Sequence, residues 1–212
     1  MTSRLPSGAA SRLVSALARQ HSTRAASNDI TGSSRTGDPR MHIVEPPTTL
    51  DWVALSPSSL SANELTTWAT RANCGAVVTF CGTVRDTSHE HDDIVALEYE
   101  TGEEMAMGRL SEVVAEARAR WPMLGAVAIH HRTGRVELSD TAVVVAVSSP
   151  HRREAFEAAQ FCIDSVKDCV PMWKRELWEG GSAWSQDGRD ILSVAEVPAA
   201  ATVTSANAAG DT

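Results

Sequence analysis

Lysine is nearly missing from this sequence, and positive charge is scarce overall. Of 19 basic residues only Lys167 and Lys174 are lysines, and the net charge is −8. Residues 1–40 carry six arginines against two acidic residues, so the excess negative charge lies entirely in the remainder. A body this acidic lacks the basic surface that binds nucleic acid. A cationic pocket within it would instead suit a small anionic ligand.

The sequence also lacks paired cysteines and long apolar runs. Its four cysteines, at positions 74, 81, 162 and 169, form no Cys-x-x-Cys pair and no plausible zinc set, so we expect reduced, buried thiols and no metal. No stretch approaches the roughly 18 apolar residues of a membrane-spanning helix. With 212 residues, 42% of them hydrophobic, the chain suits a cytoplasmic globular protein of one domain plus tails.

The two ends of the chain differ in composition from its middle. Residues 1–40 are rich in Ser, Ala and Arg and poor in acids, which imitates an organelle transit peptide. The same composition fits a disordered leader, or a start codon assigned too early with Met41 as the true first residue, and we favour these two interpretations. Residues 42–187 are predicted to form the folded domain. The Ala-, Ser- and Thr-rich residues 194–212 are predicted to be a disordered tail.

A helix with an unusual start is predicted near residue 150. Ser149 suits an N-cap and Pro150 a first helical residue, and apolar residues follow at positions 155, 159, 162, 163 and 166. The first turn carries His151, Arg152 and Arg153, where the helix dipole disfavours cations by about 0.3–1 kcal/mol each. Amide donors with cations beside them favour an anion, most naturally phosphate. Alternatively, the arginines are solvated or pair with acids of the same helix.

The two lysines follow this helix start. Almost every cationic residue of this chain is arginine, which suggests that the two lysines have a specific role. A lysine provides a compact amine that can act as nucleophile, acid or base. Lys174 lies between Trp173 and Arg175, and a neighbouring cation with an aromatic wall lowers the pKa of an amine. The alternative is chance, with two surface lysines seven residues apart. We favour the functional interpretation.

The remaining patterns predict an α+β domain. Gly75–Val84 is a nearly continuous apolar run, typical of a central strand buried on both faces, and leads to Arg85. On the residues alone, Arg85 is expected to be a rim residue paired with Asp86. Ile94–Glu100 alternates like a half-buried strand, and Glu103–Arg120 reads as an amphipathic helix. Together these segments predict helices on one face of a mainly antiparallel sheet.

Histidines occur in two places that could be mistaken for metal sites. His89 and His91 lie among acidic residues of segment 86–93, which has no apolar support and is predicted to be a mobile loop. His130 and His131 have no acid or cysteine at ligand spacing, so we expect packing or surface roles. We assign no metal to either place.

Three separated segments carry a family resemblance. They are Gly75–Arg85, the His151-Arg152 pair with Lys167 sixteen residues after His151, and Pro171-Met172-Trp173-Lys174-Arg175-Glu176. In this order and spacing they resemble the large, catalytic subunit of molybdopterin synthase, the MoaE family, over roughly residues 42–187. The resemblance implies an α/β-hammerhead fold.

The resemblance also implies an activity. The family converts cyclic pyranopterin monophosphate to molybdopterin without a cofactor, taking sulfur from the C-terminal Gly-Gly thiocarboxylate of a small ubiquitin-like partner, the MoaD subunit. Lys174 and Lys167 are the implied catalytic residues. The implied substrate-binding residues are Thr83, Val84, Arg85, His151, Arg152, Lys167, Lys174, Arg175 and Glu176. The sequence ends in Gly210-Asp211-Thr212, so we expect the sulfur carrier to be a separate protein.

Helix geometry adds a prediction about assembly. On an unbroken helix His151 and Lys167 stand about 24 Å apart, at ~1.5 Å per residue. One small ligand cannot touch both in a single copy. If both belong to one pocket, as the resemblance implies, the chain must form a homodimer with two composite sites, and a heterotetramer once two small subunits bind.

Two other functions remain open at the level of sequence. Cys169 lies between the lysines and could carry sulfur as a persulfide, although its apolar flank favours a buried structural thiol. A non-catalytic module that binds a phosphate ligand or a ubiquitin-like protein would keep the basic pocket, but it has no use for two reserved lysines.

Overall fold

The structure, a computed structural model, describes residues 45–185 and 191–198. The chain divides into two units, residues 1–38 and 39–212, and every described residue belongs to the second. The predicted leader and residues 199–212 of the predicted tail lie outside the described residues.

The described chain forms strands in groups of one to three that are separated by helices. The strands are β1 (Asp51–Ser56), β2 (Ala76–Thr83), β3 (Ile94–Glu100), β4 (Val127–Arg132), β5 (Gly134–Glu137), β6 (Thr141–Ser149), β7 (Trp173–Trp178) and β8 (Gly181–Trp184). The helices are α1 (Ala62–Ala69), α2 (Glu103–Arg120), α3 (Arg152–Cys169) and a short 3₁₀ helix (Val194–Glu196).

The strands form two four-stranded sheets. The first has the order β1-β4-β6-β2, with β1 parallel to β4 and the other pairs antiparallel; the second, β5-β3-β7-β8, is antiparallel throughout. Because side chains alternate along a strand, Val127 and Ile129 of β4 pack with α2 and α3, whereas Ala128 packs with α1 on the other face. The predicted α+β class is confirmed, but helices cover both faces of the first sheet rather than one.

Strand β2 is not the central strand that its apolar run predicted. Among the described residues it pairs with β6 alone, so it forms an edge of the first sheet. Phe80 is 36% exposed, and Cys81 on the same strand is exposed. The prediction was wrong because an apolar run indicates that a strand is buried but not what buries it. The cover can be a second strand of the same chain or the surface of another chain. With Cys74 half-buried, the predicted burial of the thiols is correct for Cys162 and Cys169 only.

Helix α3 begins two residues later than predicted. Ser149 is the last residue of β6, buried and paired with Ala76, so it cannot serve as an N-cap. His151 takes the N-cap position and Arg152 opens the helix. At the other end α3 stops at Cys169, because Pro171 two residues later cannot continue a helix. The helix therefore runs unbroken for 18 residues, or about 27 Å.

The C-terminal segment is ordered for longer than the sequence indicated. Val194 and Val197 are buried in the core formed by α2, α3 and the first sheet. The Arg120 guanidinium donates to the carbonyls of Val197 (2.7 Å) and Ala195 (3.2 Å). The predicted tail therefore starts at least five residues too early, because two valines within an Ala-rich sequence suffice to bury this segment.

Two buried histidines predict a loss of stability in acid. Burial lowers the pKa of both His130 and His131 from 6.5 to about 4, as expected for the packing role predicted for them. Between these values the unfolded chain binds more protons, so stability is complete above pH 6.5 and falls as the pH drops towards 4. Each histidine should cost about 2 kcal/mol of unfolding free energy between pH 7 and pH 5.

Urea unfolding of His130→Phe at both pH values tests this, since the His130 ring packs edge-on against Trp52 at 4.5 Å and an aromatic ring should fit there. The variant should lose about 2 kcal/mol less than the parent on acidification. His89→Asn, in an exposed loop, should behave like the parent. An unchanged pH dependence in His130→Phe would refute the assignment.

Candidate functional site

Lys174 lies on the inner face of the second sheet. It pairs across the strands with Tyr99 of β3, whose ring packs edge-on against His131 of the first sheet at 4.9 Å. The Lys174 side chain is 27% exposed, and its Nζ lies 3.4 Å from Oε1 of Glu176. The amine therefore stands beside a carboxylate at the border between core and solvent.

Glu176 is a buried carboxylate with two different partners. Its side chain is 2% exposed, and Oε2 accepts a 2.7 Å hydrogen bond from the Ser88 hydroxyl while Oε1 faces Lys174. A buried carboxylate is stable only when paired and hydrogen-bonded. The Glu176 charge also affects Tyr99. Burial, and to a smaller extent this charge, raises the pKa of the Tyr99 phenol to about 12.

Arg175 points away from this cluster. Alternation along β7 places it on the outer face, where its Nε donates to Glu98 at 2.8 Å and its guanidinium lies 5.3 Å from the Trp184 ring. Trp173, 57% exposed, shares that outer face. The predicted aromatic wall and neighbouring cation therefore do not surround the Lys174 amine, because adjacent residues of a strand face opposite sides.

The segment after β2 places Arg85 at the surface. Val84 is buried, and both of its backbone groups bond to a turn: Val84 N to Asp140 O at 3.0 Å, and Ser139 N to Val84 O at 2.8 Å. Val84 therefore anchors the segment and offers no side chain to a ligand. Arg85 is exposed, and its Nε donates to Thr87 O at 2.8 Å. The rest of its guanidinium fork is available for an anion. Thr83 is exposed beside it.

The start of α3 carries exposed cations. His151 and Arg152 are both exposed, and among the described residues neither side chain has a hydrogen-bond or ion-pair partner, although the His151 carbonyl accepts from Ala155 N at 3.4 Å. Arg153 instead pairs with Glu157 at 2.8 Å one turn later, which holds the pKa of that carboxyl below its usual range. The alternative of pairing within the helix thus applies to Arg153 but not to the preceding two residues.

Lys167 lies in the last turn of α3 and is exposed. A short connection, residues 170–172, joins this turn to β7, which carries Lys174. His151 and Arg152 sit at the far end of the same helix. The structure therefore brings Lys174, Glu176 and the loop after Arg85 together at the second sheet, and the length of α3 separates Lys167 from the helix tip.

Sequence reasoning missed Ser88 and Tyr99. Tyr99 is the only tyrosine of the chain, which is a signal of the same kind as the scarce lysines. Nothing in the sequence distinguished Ser88, because its bond to Glu176 spans 88 residues. In the ranges that the structure describes, no three His, Cys, Asp or Glu side chains are grouped closely enough to hold a metal ion. No helix in those ranges is long and apolar enough to cross a membrane.

The chain is similar to known proteins over its central region. The family model described as MoaE protein matches residues 55–169. Molybdopterin synthase catalytic subunit 1 of Aedes aegypti is 39% identical over 141 residues, which cover 65% of this chain and 90% of that protein. A crystal structure of molybdopterin synthase from Staphylococcus aureus has a TM-score of 0.58 and 34% identity, and covers 66% of this chain and 98% of that one.

A more distant structure shares the fold alone. It is a complex of subunits 1 and 2 of the molybdopterin-converting factor from Helicobacter pylori, with a TM-score of 0.53, 20% identity and coverage of 65% of this chain and 91% of that one. The matched family model spans more than half of the chain, and together with the curated relatives it identifies an α+β enzyme of the molybdopterin synthase type. The chain belongs to the MoaE family.

Proposed function

We propose that this chain is the catalytic subunit of a molybdopterin synthase, which converts cyclic pyranopterin monophosphate to molybdopterin. The observation that carries the proposal is the Lys174–Glu176 pair on the inner face of β7, since one of the two lysines of the chain lies beside a buried carboxylate. Family membership supplies the reaction, and the Aedes aegypti relative is a catalytic subunit of that enzyme.

The chemistry needs positive charge and a proton source at one place. The thiocarboxylate sulfur bonds to a carbon of the pterin side chain while a C–O bond at that carbon breaks and its oxygen takes up a proton, which leaves a thioester between substrate and partner. Water then adds to the acyl carbon, an oxyanion develops there, and its collapse breaks the acyl–sulfur bond, which leaves sulfur on the substrate and returns the partner as a carboxylate. Lys174, held by Glu176, can neutralise the oxyanion or exchange the proton, and Lys167 can assist.

Phosphate recognition is assigned to the other cations. Arg85 presents a planar fork that matches a phosphate, and His151 and Arg152 add charge to the amide donors at the start of α3. Because α3 separates this tip from Lys167 by about 24 Å, one copy cannot bring both groups to one ligand. The site proposed is therefore shared by two copies of the chain.

The exposed edge of β2 offers a way to build that shared site. Strand β2 begins beside the α3 tip: Gly75, just before the strand, lies so close to Pro150 that an added Cβ would be 2.8 Å from the Pro150 carbonyl oxygen. The strand ends two residues before Arg85. Antiparallel pairing of two β2 edges about a two-fold axis would bring Arg85 of one copy towards the helix tip of the other. With one small sulfur-carrying subunit on each copy, the assembly is a heterotetramer.

Reconstitution tests the proposed function directly. The purified chain is incubated with the thiocarboxylated small subunit and cyclic pyranopterin monophosphate, and the dithiolene product is measured. We expect product in proportion to the thiocarboxylate consumed, two sulfurs for each molybdopterin. Binding of both ligands without product would favour the non-catalytic module instead.

A cysteine persulfide is the second enzymatic candidate, and the environment of Cys169 argues against it. Cys169 is fully buried, and burial followed by the Asp168 charge raises the pKa of its thiol. A raised pKa reduces the thiolate that sulfur transfer requires. We therefore expect Cys169→Ala to keep turnover within about two-fold, at a stability cost of about 1–2 kcal/mol. Loss of turnover in a folded Cys169→Ala protein would restore the persulfide route.

The proposed location is the cytoplasm. All four cysteines lie in the described residues and are free thiols, the state that a reducing compartment maintains. The thiocarboxylate chemistry also needs no disulfide.

A further inference from the structure

We propose that Ser88 is a positioning residue, which fastens the loop of residues 86–93 onto Glu176 and so sets where Arg85 meets the phosphorylated substrate. The inference rests on the proposed function and deepens it. It concerns a side chain that lies outside the three segments of the family resemblance.

The Ser88 hydroxyl organises its loop. It donates to Glu176 Oε2 at 2.7 Å and accepts from the backbone N–H groups of Glu90 (3.2 Å) and His91 (3.0 Å). One proton and two lone pairs are all that a hydroxyl offers, so these bonds use it completely. A further contact to the His91 carbonyl, 3.4 Å long, is too distant to compete. One hydroxyl thus folds the loop and attaches it to β7.

A second contact holds the same loop to the same strand. The His91 ring stacks on Trp178 with centroids 4.1 Å apart. Trp178 and Glu176 are two positions apart on β7, so their side chains share a face. The loop is closed at its base by Ile94 N, which donates to Asp86 O at 2.8 Å. The loop predicted to be mobile is therefore held by two side chains of the strand that carries Lys174.

Arg85 depends on this attachment. Its Nε donates to Thr87 O, so the guanidinium is bonded to the loop and moves with it. Glu176 faces Ser88 through one oxygen and Lys174 through the other. A single buried carboxylate therefore links the phosphate-binding arginine to the catalytic lysine. Removing the Ser88 hydroxyl releases the arginine side of this link and leaves the Lys174 contact in place.

Trypsin cleavage after Arg85 measures the attachment without any activity assay. We expect Ser88→Ala to be cut at the Arg85–Asp86 bond about ten-fold faster than the parent, since a hydrogen bond to a charged acceptor holds the loop closed. Ser88→Thr keeps a hydroxyl and should be cut within about three-fold of the parent rate. Ser111→Ala, the same change on the exposed face of α2, should match the parent. Cleavage of Ser88→Ala at the parent rate would overturn the proposal.

Steady-state kinetics test the consequence for the substrate. Ser88→Ala should raise KM for cyclic pyranopterin monophosphate about ten-fold with kcat within two-fold, and Ser88→Thr should restore KM. When Arg85 is already alanine, the further change Ser88→Ala should raise KM less than two-fold. The reason is that Ser88 acts on substrate binding only through the position of the Arg85 side chain. Fully additive effects would reduce Ser88 to a structural role.

The two arms separate failure of this inference from failure of the proposed function. If the parent protein makes no molybdopterin, the function is wrong, and trypsin still decides whether Ser88 holds the loop. If the parent is active but Arg85→Ala leaves KM unchanged, the inference is overturned. Should Ser88→Ala not fold, His91→Ala removes the stacking contact and should speed cleavage about three-fold; a parent rate there would equally contradict the attachment.

Discussion

Lys174→Ala should lose about 10³-fold in turnover, within the range of a group that acts as acid or base at a reacting centre. The change leaves the buried Glu176 carboxylate with its Ser88 hydrogen bond alone, so we expect the variant to fold with reduced stability. Because the change removes the amine and leaves the β2 edge intact, the dimer and the binding of the small subunit should persist. Turnover, sedimentation and partner binding measured on the same preparation test this prediction.

Arg175→Ala is the matched control for that result. It neighbours Lys174 in the sequence but lies on the outer face of β7, bonded to Glu98. We expect turnover within about three-fold of the parent, together with some loss of stability from the broken ion pair. Near-normal turnover by Lys174→Ala, or an equal loss in both variants, would reject the assignment of the inner face as the site.

Local patterns predicted the elements of the fold well. The bounds of α2 and of β3 follow from periodicity and from the charges at the helix ends. The start of α3 was predicted wrongly because serine is a favoured N-cap residue, whereas Ser149 belongs to β6 and pairs with Ala76. Local preference could not reveal that long-range pairing.

The candidate site was only partly predictable. The scarcity of lysine made Lys174 a candidate site residue. His151 and Arg152 became candidates because basic residues are unfavourable at the N-terminus of a helix. Strand alternation separated Arg175 from Lys174 only once the bounds of β7 and its neighbours were known. Nothing in the sequence pointed to Ser88, because its proposed role depends on a hydrogen bond to the Glu176 carboxylate, 88 residues away. Contacts of that kind are decided by topology, which a residue pattern cannot encode.

The shared site predicts complementation between two inactive chains. In a dimer of one Lys174→Ala chain and one Arg152→Ala chain, one site carries both changes and the other carries neither. We therefore expect the mixed dimer to regain about half of the parent turnover, although each variant alone is nearly inactive. Random 1:1 mixing makes half of the dimers mixed, so an unfractionated sample should reach about a quarter.

The controls follow from the same geometry. Mixing Lys174→Ala with Lys167→Ala places both changes on the same side of the composite site, so each site keeps one defect and activity should stay low. Two different affinity tags isolate the mixed dimers from both parents.

Turnover of purified mixed Lys174→Ala and Arg152→Ala dimers is the most direct test of the account, in which the lysines of one copy and the helix tip of another enclose one phosphorylated pterin. The account predicts about half of the parent value. Activity no higher than that of the separate variants would contradict it.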